Sequence, residues 1–186
     1  MGLGLLGVII VLVLVAVAMY NGLIKKKNLV DEAFSGMDVM LKKRHDLLPN
    51  LIETVKQYAG HEKKVLQNIV ELRNGLQKPN LSSGERIEME NKLTSQISAL
   101  NLTVENYPDL KANENFLNLQ RNLTEIESQL SASRRTYNAS VLDLNNGLEK
   151  FPSNIIGGMF GFEKETFFEI ASTERANINV KDAFNN

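Results

Sequence analysis

The sequence predicts an all-α protein: an N-terminal transmembrane helix continuous with a long-helix up-and-down bundle, three long helices plus a short fourth. Three observations predict it. Residues 1–24 carry no charged side chain. Three later stretches repeat apolar residues at alternating spacings of 3 and 4, the period of one helix face. The prolines at 79, 108 and 152 fall between those stretches, where a helix has to stop.

The anchor comes first. At ~1.5 Å rise per residue, 24 helical residues reach ~36 Å, enough to cross a hydrocarbon core of ~30 Å. In lipid such a run must be helical, because no water is present to satisfy the backbone. Ala16-Val17-Ala18 resembles a signal-peptide cleavage site, but no basic residue precedes the apolar run and Lys25, Lys26 and Lys27 follow it at once. Met1-Gly2 hints at myristoylation, which Leu6 argues against. Basic flanks tend to stay on the cytoplasmic side. The expected topology is N-terminus out, with the bundle on the cytoplasmic face of a bacterial inner membrane; the opposite placement, bundle on the periplasmic side, is the alternative.

The first ladder runs Phe34, Met37, Leu41, Leu48, Ile52, Val55, Ala59, Leu66, Ile69 and Leu76. It predicts one long helix, joined to the anchor and ended by Asn74-Gly75 and Pro79-Asn80. Pro49 lies inside it without disturbing the phase, which predicts a kink near 45–49 rather than a loop. His45, Glu62 and Arg73 fall on seam positions. Ser82 followed by Glu85 reads as a capping box opening a second helix. Ile87, Leu93, Ile97, Leu100 and Val104 form its stripe, and Pro108 sets its latest end. A third helix starts near Asn113 and carries Phe116, Leu119, Leu123, Leu130, Tyr137, Val141, Leu144 and Leu148, with Arg134 on the stripe and Glu127 sharing a step with Ile126. Phe151-Pro152 stops it after about 36 residues.

Beyond Pro152 the composition changes. Six of the eight Phe lie between Phe151 and Phe184. The second helix retraces only ~35 Å of the first, whereas the third advances ~54 Å, so the third should overhang. A short fourth helix from the tail would cover the exposed stripe. The domain reading is an anchor over 1–24, a bundle over 25–176 and a polar tail over 177–186.

Balanced charge, 21 basic against 22 acidic residues, gives no field for nucleic acid. With no Cys there are no disulfides or thiolate chemistry. His61-Glu62 opens like a zinc-protease signature, but Val65 stands where the second ligand belongs. His45 and Asp46 are adjacent on a helix and point about 100° apart, so they make a poor proton-transfer pair. Gly157, Gly158 and Gly161 have the wrong spacing for a phosphate cradle and read as close packing or a joint. No catalytic residue, metal or cofactor is implied.

The informative polar residues are those on apolar stripes. Glu62, Arg73, Glu127 and Arg134 are read as a buried, mutually paired ionic layer fixing helix register. Lys42 to Arg44 are read as a solvated face. Phe151, Ile155, Ile156, Met159, Phe160, Phe162, Phe167 and Phe168 carry more apolar surface than capping one helix end requires, and part of it is expected to reach a neighbouring protomer or the bilayer.

Five stretches together resemble the LemA family of bacterial membrane proteins: LKKRHDLLPNL at 41–51, YAGHE at 58–62, ENYPDLKA at 105–112, SRRTYN at 133–138 and FPSNIIGGMFGF at 151–162. The resemblance implies a single N-terminal span, a soluble helical bundle and a relation to magnetosome-associated LemA-like proteins. It implies no activity. Two functions fit: a self-associating non-enzymatic scaffold that organises the membrane, or an adaptor docking another membrane protein such as a protease or transporter. The expected partners are the lipid bilayer and further copies of the chain, with no nucleic acid.

Overall fold

The computed structural model describes residues 2–59 and 62–168. Six helices and no strand occupy them: α1 (Gly2–Tyr58), α2 (Lys63–Leu76), α3 (Ser83–Val104), α4 (Pro108–Lys111), α5 (Glu114–Glu149) and α6 (Ser153–Met159). The all-α architecture, with the apolar N-terminal run continuing into the first bundle helix, is the one expected. The polar stretch 177–186 and the His61 of the discarded zinc signature lie outside the described residues.

The first ladder is cut in two. α1 runs unbroken through Pro49, whose ring is on an exposed face, but ends at Tyr58, and α2 starts only at Lys63. The Ala59 N–H still closes on Val55 (2.8 Å), and Glu62 then turns back onto Ala59 (3.1 Å). A glycine follows Ala59 in the sequence, and glycine costs about 1 kcal/mol in a helix interior while favouring helix ends. Apolar periodicity continues on both sides, with Val55, Ala59, Leu66 and Ile69 all buried, and so conceals the interruption.

The second helix opens on the expected capping box. Ser82 Oγ accepts from the Glu85 N–H (3.3 Å), and Glu85 Oε2 accepts from the Ser82 N–H (3.0 Å). α3 ends at Val104, and the Pro108 that was to bound it instead starts the single turn of α4, which buries Leu110. Asn113 Oδ1 accepts from the Phe116 N–H (3.0 Å) and opens α5 over 36 residues.

The helices divide into two compact units. One contains residues 45–123 and Phe168: the end of α1, then α2, α3, α4 and the start of α5. Its core joins Leu48, Val55, Ile69, Leu93, Leu100, Leu110 and Phe116, all fully buried or nearly so. Each such side chain contributes roughly 1.5–3 kcal/mol by leaving water.

The other unit contains residues up to 44 and 124–167. Here α1 and α5 run antiparallel. Leu23 lies against Gly147, Lys26 pairs with Asp143, Phe34 meets Tyr137 edge-on at 5.7 Å, and Arg44 reaches Glu127 at 2.7 Å. Leu23, Val30, Met37 and Leu41 face Leu130, Tyr137, Val141 and Leu144 along a buried seam. α6, the anticipated short fourth helix, closes one end of this unit.

Candidate functional site at the end of the apolar helix

The polar residues that sequence reasoning singled out serve the helix seams. Arg44 is corrected outright: it was assigned to a solvated face, but its side chain is 0% exposed and bonds Glu127 Oε1 at 2.7 Å. Lys42 and Lys43 remain exposed, because only Arg44 falls one 3-residue step after Leu41 and one 4-residue step before Leu48. The partners of the expected ionic layer therefore differ. Glu127 holds Arg44, Arg73 Nε donates to the His45 carbonyl (3.2 Å), and the Tyr107 hydroxyl approaches Glu62 Oε1 at 3.5 Å. Arg134 is buried, and its neighbour Arg135 is exposed and bonded to Ser131.

Glu90 was missed. It is 1% exposed and lies 2.9 Å from His45 Nε2, tying α3 to α1. The signal was present, since Glu90 falls three residues after Ile87 and three before Leu93 on the same stripe. These contacts join helix to helix. Among the described residues, no group of three His, Asp or Glu is placed to hold a metal ion.

The conspicuous surface lies where the uncharged part of α1 ends. α5 stops at Glu149, and Ser153 Oγ lies 2.6 Å from the Gly147 carbonyl, an acceptor the helix end leaves free, and 2.9 Å from that of Lys150. α6 then packs its Gly157 against Leu148 and Leu23, so closely that a Cβ would stand 2.8 Å from Leu148 Cδ2. Gly161, at φ +70°, turns the chain, a conformation side chains with a Cβ resist.

After that turn the chain returns along α5. Lys164 bonds Glu149 (2.6 Å), Asn145 bonds both the N–H and the C=O of Glu165 (3.0 Å each), and Tyr137 donates to the Thr166 carbonyl (2.9 Å). The pairing with Lys164 holds the Glu149 carboxyl below its usual pKa.

Two rings meet α1 at Tyr20. Phe160 stacks tilted at 4.7 Å, and Phe162 approaches edge-on at 5.9 Å. Beside them lies an open cleft of ≈ 360 Å³ bounded by Tyr20, Lys27, Phe160, Phe162, Glu163 and Glu165. Of the expected interface residues, Phe151 is 80% exposed, Met159 73%, Phe160 59% and Ile155 52%. Phe167 is at the margin of exposure, Ile156 and Phe162 are half-buried, and Phe168 is buried. Lys25 and Lys27 are exposed, and Lys26 is half-exposed against Asp143.

The family's sequence profile matches residues 33–181, most of the chain. The chain belongs to the LemA family. Among LemA-family relatives it is 24% identical to protein LemA of Metamycoplasma hominis over 89% of this chain and 75% of that one. It is 22% identical to the magnetosome proteins MamQ 1 and MamQ 2 of Paramagnetospirillum magneticum over 81% of this chain, and the match spans 64% of their length. LemA membership, together with an N-terminal helix long and apolar enough to cross a bilayer, makes this a membrane-associated protein.

Proposed function

We propose that this LemA-family chain is a membrane-anchored, non-enzymatic scaffold that self-associates through its helical bundle and organises the membrane beneath it, with its aromatic C-terminal segment bearing on that membrane. The residues after the span point the same way as before: Lys25, Lys26 and Lys27 favour a cytoplasmic bundle at a bacterial inner membrane.

The observation that carries the reading is an incompletely covered helix pair. In the unit beside the apolar run, α1 and α5 bury one seam between them, with α6 only at one end. Val39 on α1 and Leu142 on α5 are left half-exposed. Anchors in one membrane raise the local concentration of copies in parallel, so modest apolar contacts suffice for assembly. The buried Arg44 and Glu90 are taken up in cross-ties between helices, which supports a structural rather than a catalytic role. Two relatives carry the name of a cellular structure, the magnetosome, which accords with building rather than turnover.

Light scattering on detergent-extracted, full-length protein tests the reading. A defined homo-oligomer is expected, and Val39→Glu combined with Leu142→Glu should reduce its mass while leaving helical circular dichroism unchanged. A wild-type monomer that co-purifies with a different membrane protein would instead establish the adaptor function.

A further inference from the structure

The antiparallel register of α1 and α5 sets a level for residues 151–162. Residue 147 of α5 lies beside Leu23, and Asp143 beside Lys26, so α5 ends opposite the last turn of the uncharged run. The twelve residues 151–162 therefore stand level with the last turn of the uncharged run, Gly157 against Leu23 and Phe160 and Phe162 against Tyr20. The ring contacts of Phe160 and Phe162 with Tyr20 fix that position directly. Tyr20 is five residues, about 7.5 Å of helix, on the membrane side of Lys25.

What occupies that level is unusual for a soluble surface. Residues 151–162 contain no charged side chain, and the charges resume on both flanks at Glu149-Lys150 and Glu163-Lys164. Phe151, Ile155, Met159 and Phe160 project there more than half exposed. An uncharged stretch of this length is too short to span a bilayer and has the size of an interfacial or re-entrant segment. Water-poor surroundings also demand a backbone that satisfies itself. This one does so at its critical points: Asn154 N–H bonds Lys150, Phe160 N–H bonds Ile156, Phe162 N–H bonds Gly157, and Ser153 covers the end of α5.

We propose that residues 151–162 are a second membrane attachment, an interfacial foot whose apolar side chains enter the acyl boundary of the leaflet from which α1 emerges. Its occupant is the lipid bilayer, not another protein. Lys25, Lys27 and Lys164 mark the water line on the surrounding surfaces, where anionic or zwitterionic headgroups meet them. Two attachments side by side restrict the tilt and rotation of the α1–α5 pair at the membrane, which a single helix anchor leaves free. The inference rests on the membrane-anchored reading above, but not on self-association.

The absence of cysteine makes the test direct. Full-length protein carrying Phe151→Cys or Met159→Cys is labelled with an environment-sensitive fluorophore and reconstituted into phosphatidylglycerol–phosphatidylethanolamine vesicles. Val17→Cys serves as the in-membrane reference and Lys43→Cys as the aqueous one. Both foot labels should show blue-shifted emission, loss of intensity with lipid-attached quenchers close to that of the Val17 label, and protection from iodide. Labels that iodide quenches as it quenches the Lys43 label would overturn the proposal. So would labels protected from iodide yet untouched by lipid quenchers, since a protein would then cover the foot. If the Val17 label itself reported water, the anchored reading would fail first. Oligomer mass, measured on the same preparation, is read separately.

Discussion

At the residue scale, burial of charge decides the most. Arg44 is fully buried on the same stripe of α1 as Leu41, with its guanidinium against Glu127. Removing one partner of such a pair leaves a buried or half-buried charge without its counterion, which costs about 3–5 kcal/mol. Arg44→Ala should lower stability by that order in chemical denaturation, whereas Lys43→Ala, on the exposed side of the same turn, should fall within about 0.5 kcal/mol of wild type. Tyr137 makes a different test. Its ring is buried against Phe34, and its hydroxyl bonds the returning chain at Thr166. Burial first, then the nearby Glu165 and Asp31 carboxylates, push its pKa up from 10.0 to about 12. The folded chain thus holds the phenolic proton more tightly than the unfolded chain does. The stability this provides is complete below pH ~10 and is lost as pH rises through about 12. Tyr137→Phe should begin about 1 kcal/mol less stable through loss of the hydrogen bond. Its urea midpoint should then decline less steeply than wild type between those pH values.

At the scale of elements, the ends of helices separate what local chemistry dictates from what it does not. α3 begins where Ser82 and Glu85 place it, because the box is complete within four residues. The Ser82 hydroxyl and backbone N–H also hold the Glu85 carboxyl below its usual pKa. Ser82→Ala should cost about 1 kcal/mol, read as a lower midpoint with unchanged helix content at low temperature. Because the Glu85 pKa is depressed in the folded state, the part contributed by its carboxylate is present above its ordinary titration range and fades as pH falls. The break between α1 and α2 is the opposite case. Ala59 is 1% exposed, as a residue inside a continuous seam would be, so nothing in the apolar spacing betrays it. α4 was equally hidden, because Pro108 is as compatible with the first turn of a new helix as with the end of an old one.

At the scale of the whole chain, the sequence alone determined the all-α class, the uncharged N-terminal run, the capping box, the extent of α5 and the short helix after Pro152. Each depends on residues a few positions apart: an apolar period, a cap, a proline. Periodicity put Glu127 and Arg134 on or beside an apolar stripe, but it could not say with what they pair. Arg44 and Glu127 are 83 residues apart. Which guanidinium meets that carboxylate depends on the axial register of α1 against α5, and register is a sum over the entire seam rather than a property of either residue. The same register decided where the exposed apolar surface lies along α1. Phe151 to Phe162 could be seen as apolar from composition, yet their level beside Tyr20 follows only from where α5, running antiparallel to α1, comes to its end.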